Sequence, residues 1–158
     1  MNKLDNKEAI ADFEILLSEC KKNLKTCNEE LLKKAFVVCL DANKERLRLS
    51  GKPYYSHSMS VASIVATEIK LDDVSVVAAL LCDIIKEENE YDYTLVKTEF
   101  GTTIADIVTG IEKINQIEEE LIQPEIDLDN YRKLLMSLFK DVRIIFIKLA
   151  ERLENLRT

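Results

Sequence analysis

Apolar residues return every three or four positions along most of the chain, the period at which side chains share one face of an α-helix. Ile10, Phe13, Leu16, Leu17 and Cys20 form one such stripe, and Leu31, Leu32, Ala35, Phe36 and Cys39 form the next. The second helix is predicted to begin after Asn28, whose side chain suits the free amides of a first turn, and to run to about Leu49. Ser50-Gly51-Lys52-Pro53 ends it, because glycine and proline both oppose helix continuation. A third helix carries Val61, Ile64, Val65 and Ile69, with Leu71-Asp72 in the connection that follows.

The fourth predicted helix, about Asp73–Glu87, differs in kind. Val74, Val76 through Cys82, Ile84 and Ile85 leave it almost no polar face, so it belongs at the centre, buried on most sides. Its β-branched residues make a buried strand a rival for the first part, and length favours the helix. A polar stretch, Glu88–Tyr93, precedes a short helix over Thr94–Phe100. Another follows Gly101, with Ile104, Ile107, Val108, Ile111 and Ile114 on one stripe. Gln116–Asp127 is acid-rich, contains Pro124 and reads as an exposed, mobile loop. Tyr131, Leu134, Leu135, Leu138 and Phe139 mark the next helix. The last, about Val142–Arg157, carries Ile144 to Ile147 and is expected to be largely buried. The pattern predicts one all-α domain, a compact multi-helix bundle with two buried central helices, in which residues 1–27 supply an N-terminal helix.

Composition narrows the possibilities. The 158 residues suit one domain, and 47% apolar with 32% charged residues describes a soluble chain with a real core. Three glycines and two prolines are too few for a many-turned all-β fold. No two glycines stand close enough for a dinucleotide-binding or phosphate-binding loop, which excludes both chemistries. A net charge of −7 argues against non-specific nucleic-acid binding, and no direct DNA binding is expected. Lys44, Arg46, Arg48 and Lys52, with Glu45 the one acid among them, leave a local anion site open. The longest unbroken apolar run is Val76–Cys82 and the N-terminus has no apolar signal region, so neither export nor membrane association is expected. Cys20, Cys27, Cys39 and Cys82 form no C-x-x-C pair and read as reduced thiols of a cytoplasmic protein. With one histidine in the chain, a metal site that needs two imidazoles cannot be built from one copy.

Four positions carry candidate chemistry. Asp83 interrupts an otherwise apolar helix, and a buried carboxylate requires a metal, a Lys or Arg, or a proton. A structural ion pair meets that requirement as well as a metal does. Glu151-Arg152 poses the same problem at the end of the last helix, so the two carboxylates point to a shared polar pocket, unless Glu151 and Arg152 simply reach solvent. His57, just past the Ser50–Pro53 break, taken alone is more often a surface or capping residue. Cys82 by itself is a small core residue, and no signature supports a Cys82–His57 nucleophilic dyad.

Read together, RLSGKPYYSH (Arg48–His57), AALLCDIIKEE (Ala78–Glu88), FG (Phe100-Gly101) and DVRIIFIKLAERLENLRT (Asp141–Thr158) resemble the N-terminal HD-type hydrolase domain of the RelA/SpoT family. The resemblance runs over about Ala35–Thr158, within a domain spanning 28–158, and implies an HD-domain-like helical bundle. Members of the family make and degrade the guanosine polyphosphate alarmones, (p)ppGpp. In active members two His and two Asp hold a manganese ion, and an E-D pair positions the attacking water. Carried over by resemblance, His57 is the first ligand, Cys82 stands at the second histidine, Asp83 is retained, and Glu151 stands at the last aspartate. Lys86-Glu87 replaces the E-D pair, and Glu154 replaces a histidine near the end of the last motif. Leu49, Lys52 and Ser58 are lesser departures.

These departures imply that no catalytic set is intact, with Lys86 and Glu87 vestigial. His57, Cys82, Asp83 and Glu151 are vestigial as metal ligands. Manganese prefers oxygen and imidazole to thiolate, glutamate displaces its oxygen by ~1.5 Å, and an ammonium does not orient water as a carboxylate does. No cofactor is expected, in contrast to the Mn²⁺ of active relatives. Asp83, Lys86 and Glu87 fall at i, i+3 and i+4 on one helix side, so the Lys86 ammonium is expected to take the ion's place beside Asp83 or Glu151. The nucleotide-facing motif is better kept: by resemblance, Arg48 stacks on a guanine, with Ser50, Tyr54, Asn155 and Thr158 near the sugar and phosphates.

The expected function is a catalytically degenerate HD (pseudo-hydrolase) domain acting as regulator and scaffold of a RelA/SpoT-type ppGpp synthetase. Such a parent enzyme is GTP pyrophosphokinase-like and serves the stringent response. The partner implied is a C-terminal synthetase domain of the same polypeptide, not present in these 158 residues. Because Arg157-Thr158 falls inside the family's last motif, the chain reads as a fragment. Guanine nucleotides are a further candidate ligand, and contact with the ribosome is expected only through the full-length protein. Two alternatives stand beside this: an active metal-dependent ppGpp 3′-pyrophosphohydrolase with unusual ligands, and a non-catalytic guanine-nucleotide sensor.

Overall fold

A computed structural model of the chain describes residues 3–86, 90–120, 129, 132, 136 and 140–158. Among these, seven α-helices follow one another: α1 (Lys3–Asn23), α2 (Glu29–Ala42), α3 (Tyr55–Ile64), α4 (Asp73–Leu80), α5 (Tyr93–Phe100), α6 (Thr102–Glu120) and α7 (Arg143–Arg157). A π-helical turn, Val65–Ile69, prolongs α3 and ends at Lys70 in the left-handed region (φ 59°). Three helices begin on side-chain caps, which supply the acceptor that a free first-turn amide lacks. Asn28, Asp72 and Asp92 accept from the amides of Leu31 (3.1 Å), Ser75 (2.9 Å) and Leu95 (2.8 Å).

α4 is the centre. Val76 through Leu80 are fully buried, and α2, α3, α6 and α7 surround it. The strand alternative for this segment is not realised. α1 joins through Phe13, whose ring stacks on Phe36 of α2 at 4.5 Å between centroids. α6 and α7 pack closely at Gly110, where a Cβ would overlap the Cδ1 of Ile144, so a larger residue there would make that side chain shift. No helix among the described residues is long and apolar enough to cross a membrane.

Three boundaries differ from the sequence reading. α2 stops at Ala42 rather than near Leu49: the Asn43 amide still makes a helical bond to Cys39 O (3.2 Å), its side chain takes the same carbonyl (2.9 Å), and the amides of Lys44 and Arg46 then bond only three residues back, to Asp41 O (3.4 Å) and Asn43 O (3.1 Å). The chain then reverses in a small hairpin. Arg48 N donates to Lys52 O (2.8 Å), Gly51 N to Arg48 O (2.8 Å) and Tyr54 N to Arg46 O (3.0 Å), with Leu47 bridged to Pro53. Gly51 (φ +82°) supplies the left-handed residue this turn needs. Arg46 and Arg48 thereby reach α3 and α7, while Leu47 and Leu49 face water.

α4 ends at Leu80, not Glu87. The amides of Leu81, Cys82 and Ile84 bond three residues back, to Ala78 (3.2 Å), Ala79 (3.4 Å) and Leu81 (3.2 Å), so the helix tightens into turns. That break lets the Asp83 carboxylate leave the apolar interior. α6 runs on through Gln116 to Glu120, where a loop was expected, because Glu112 and Glu118 find donors on α6 and α7. The rest of the predicted loop and the predicted helix carrying Tyr131, Leu134, Leu135, Leu138 and Phe139 lie outside the described residues. α7 is buried along one side, by Ile144, Ile147 and Ala150, and its other apolar side is exposed.

Candidate functional site

The ends of these elements bring ionisable side chains together around Asp83. The hairpin contributes Arg46 and Arg48, the start of α3 contributes Tyr54 and His57, and the turns after α4 contribute Cys82, Asp83 and Lys86. α6 adds Glu112 and Asn115, and α7 adds Lys148, Glu151 and Glu154.

Asp83 is 6% exposed. Its Oδ1 lies 3.1 Å from the Lys86 ammonium, and its Oδ2 accepts from the Tyr54 hydroxyl at 3.1 Å. The same Oδ2 is 4.0 Å from His57 Nε2 and 3.9 Å from the Cys82 Sγ. Burial alone would raise this carboxyl; the Lys86 charge and hydrogen bond, with His57 and Arg46, outweigh burial and hold it below the usual range. The Arg46 guanidinium covers the Tyr54 ring at 3.7 Å, and burial beside Asp83 pushes the Tyr54 hydroxyl up.

Glu154 forms the second centre. Arg48 reaches it with both guanidinium nitrogens, Nη1 at 2.5 Å and Nη2 at 3.1 Å, and Arg48 Nη2 also donates to Thr158 Oγ1 at 3.0 Å. On its other side Glu154 Oε2 lies 2.6 Å from His57 Nδ1. Burial opposes the charge on Glu154, and the hydrogen bonds from Arg48 and His57 overcome it, so its carboxyl also sits below the ordinary range. Arg48, Glu154, His57, Asp83 and Lys86 thus form one chain of alternating contacts.

A third group lies alongside. The buried Lys148 ammonium pairs with Glu151 (2.9 Å), donates to Asn115 Oδ1 (2.6 Å) and approaches Glu118 (3.4 Å), tying α7 to α6. Glu112 faces Lys86 and Asp83 from α6, and its carboxyl is raised by burial.

The structure therefore joins His57, Cys82, Asp83 and Lys86; Asp83 and Lys86 meet as expected, but not on a shared helix face, since α4 has ended before those two. Glu151 does not share Lys86; Lys148 holds it. Glu87 lies outside the described residues. Arg48, Tyr54 and Thr158 belong to the cluster, whereas no described hydrogen bond joins Ser50 or Asn155 to it. Lys148, Glu112 and Asn115 were not expected in the cluster, and Arg46 was expected only in a local anion site. Lys148 carried the same signal as Asp83, a charge inside an apolar run (IIFIKLA).

The donors do not fit a manganese ion. Among the described residues no three His, Cys, Asp or Glu side chains are gathered to hold a metal. Burial, with the charges of Asp83 and Glu151, pushes the Cys82 thiol well up and keeps it protonated, and a protonated thiol is not a ligand. Lys86 and Lys148 already occupy the carboxylates. A cavity of about 640 Å³ lies elsewhere, between α5, α6 and the start of α7, lined by Tyr93, Lys113 and Arg143 among others.

The HD domain family matches residues 35–158. The chain is 39% identical over 122 residues to the guanosine-3′,5′-bis(diphosphate) 3′-pyrophosphohydrolase of Haemophilus influenzae, a match covering 77% of this chain and 18% of that relative. It is likewise 39% identical over 127 residues to the bifunctional (p)ppGpp synthase/hydrolase SpoT of Escherichia coli K12, covering 80% and 18%. Against a GTP pyrophosphokinase of Myxococcus xanthus it is 36% identical over 131 residues, covering 82% and 17%. The chain thus spans less than a fifth of the length of these relatives.

Proposed function

We infer the function of this chain from its family: it belongs to the HD domain family, with homology to the SpoT and RelA (p)ppGpp hydrolases and GTP pyrophosphokinases. We propose that it is a catalytically degenerate member, a pseudo-hydrolase that scaffolds and regulates a RelA/SpoT-type ppGpp synthetase in the cytoplasm. The observation that carries this reading is the Lys86 ammonium 3.1 Å from the Asp83 carboxylate. Hydrolysis by an active member needs a divalent cation and a carboxylate that orients water. Here a fixed monovalent cation stands beside the retained aspartate, where it repels a metal ion and offers the water no base.

Two further contacts support the reading. Lys148 holds Glu151, and Glu154, which stands by resemblance at a histidine of active members, is held by both guanidinium nitrogens of Arg48. On this reading no Mn²⁺ is bound, and the domain acts by packing on the synthetase domain of the same polypeptide and biasing its conformation. The test is pyrophosphate release from ppGpp by the chain with added Mn²⁺. No release above the protein-free rate is expected, and Mn²⁺-dependent turnover overturns the proposal. The fourfold change Cys82→His, Lys86→Glu, Glu87→Asp and Glu151→Asp is expected to gain measurable release, since it restores both the ligands and the carboxylate pair.

A further inference from the structure

We draw no further inference here: the strongest candidate, the cavity of about 640 Å³ between α5, α6 and the start of α7, selects no ligand, because its cations Lys113, Lys140 and Arg143 are offset by the carboxylates of Asp106, Asp141 and Asp72, and its wall at Lys140 adjoins residues 137–139, which lie outside the described residues.

Discussion

Lys86→Ala removes the cation on which the Asp83 cluster depends. Taking one partner from a fully buried ion pair costs roughly 3–5 kcal/mol, because a charge is left without compensation. Two features lower that figure here. The Lys86 side chain is 30% exposed, so water already screens part of the pair, and the Tyr54 hydroxyl at 3.1 Å remains as a donor to Asp83. A loss of about 1.5–3 kcal/mol at pH 7 follows. At about 2–4 °C per kcal/mol for a domain of this size, the melting temperature should fall by about 3–12 °C. The pH dependence is the sharper criterion. In the parent, the Asp83 carboxyl lies below its unfolded value near ~3.9, so the contribution is whole above that value and is lost as pH falls through the lower folded one. In the variant, the Lys86 charge and hydrogen bond no longer oppose burial, and the carboxyl moves up. The folded state then binds the proton more tightly than the unfolded state, and acidification favours folding. The gap between parent and variant, measured by urea unfolding at pH 7.0, 5.5 and 4.5, should therefore narrow as pH falls. A loss below about 0.5 kcal/mol, the scale of an ordinary surface change, refutes the pairing. So does a loss that is the same at all three pH values.

Glu154→Gln keeps the shape of the side chain but sets a neutral amide before Arg48 and His57. It should cost about 2 kcal/mol in urea unfolding at pH 7, the scale of charged hydrogen bonds made and lost in a buried site. Gly110→Ala sets a methyl group against Ile144 Cδ1. Overpacking of 1–3 kcal/mol outweighs a helix-propensity gain of up to about 1 kcal/mol, so a net loss of about 1 kcal/mol is expected. In an Ile144→Val background, which lacks the clashing atom, the same change should become neutral or stabilising, and thermal melts of the four proteins in the cycle check this. Cys82→His alone should give no Mn²⁺ binding by calorimetry, because Lys86 still stands on Asp83 and Lys148 on Glu151; binding of one ion per chain would contradict that.

The N-cap at Asn28 and the place of α4 could be read from the sequence, since both rest on periodicity and on local hydrogen-bonding chemistry. The ends of α2 and α4 could not. After Ala42 and Leu80 the amides turn to carbonyls three residues back, a choice that depends on what surrounds the turn rather than on residue type. The acid-rich start of the predicted loop at Gln116 misled for a related reason: acids that look solvated in sequence meet Arg152 and Lys148 across a helix crossing. At the site, the retained residues His57 and Asp83 were recognisable from their motifs. The pairing pattern was not, because it depends on which helix face Lys148 and Glu154 occupy.

That pairing pattern explains why a single restored ligand is a weak lever on this fold. One dication can serve several carboxylates only if their oxygens converge on a point, at ligand distances near ~2.1–2.2 Å. Monovalent cations work in the opposite direction, each stabilising one acid where it stands. Here Arg48 draws Glu154 toward the hairpin, and Lys148 draws Glu151 toward Asn115 and Glu118 on α6. Lys86 holds Asp83 at the turn after α4. Each of these three acids is compensated within its own group. Relieving one pair leaves the other two carboxylates where their own cations have placed them. On the proposed reading, a return to metal chemistry depends first on removing the Lys86 ammonium and only then on supplying ligands, and the fold persists without the ion because these three acids are already matched locally.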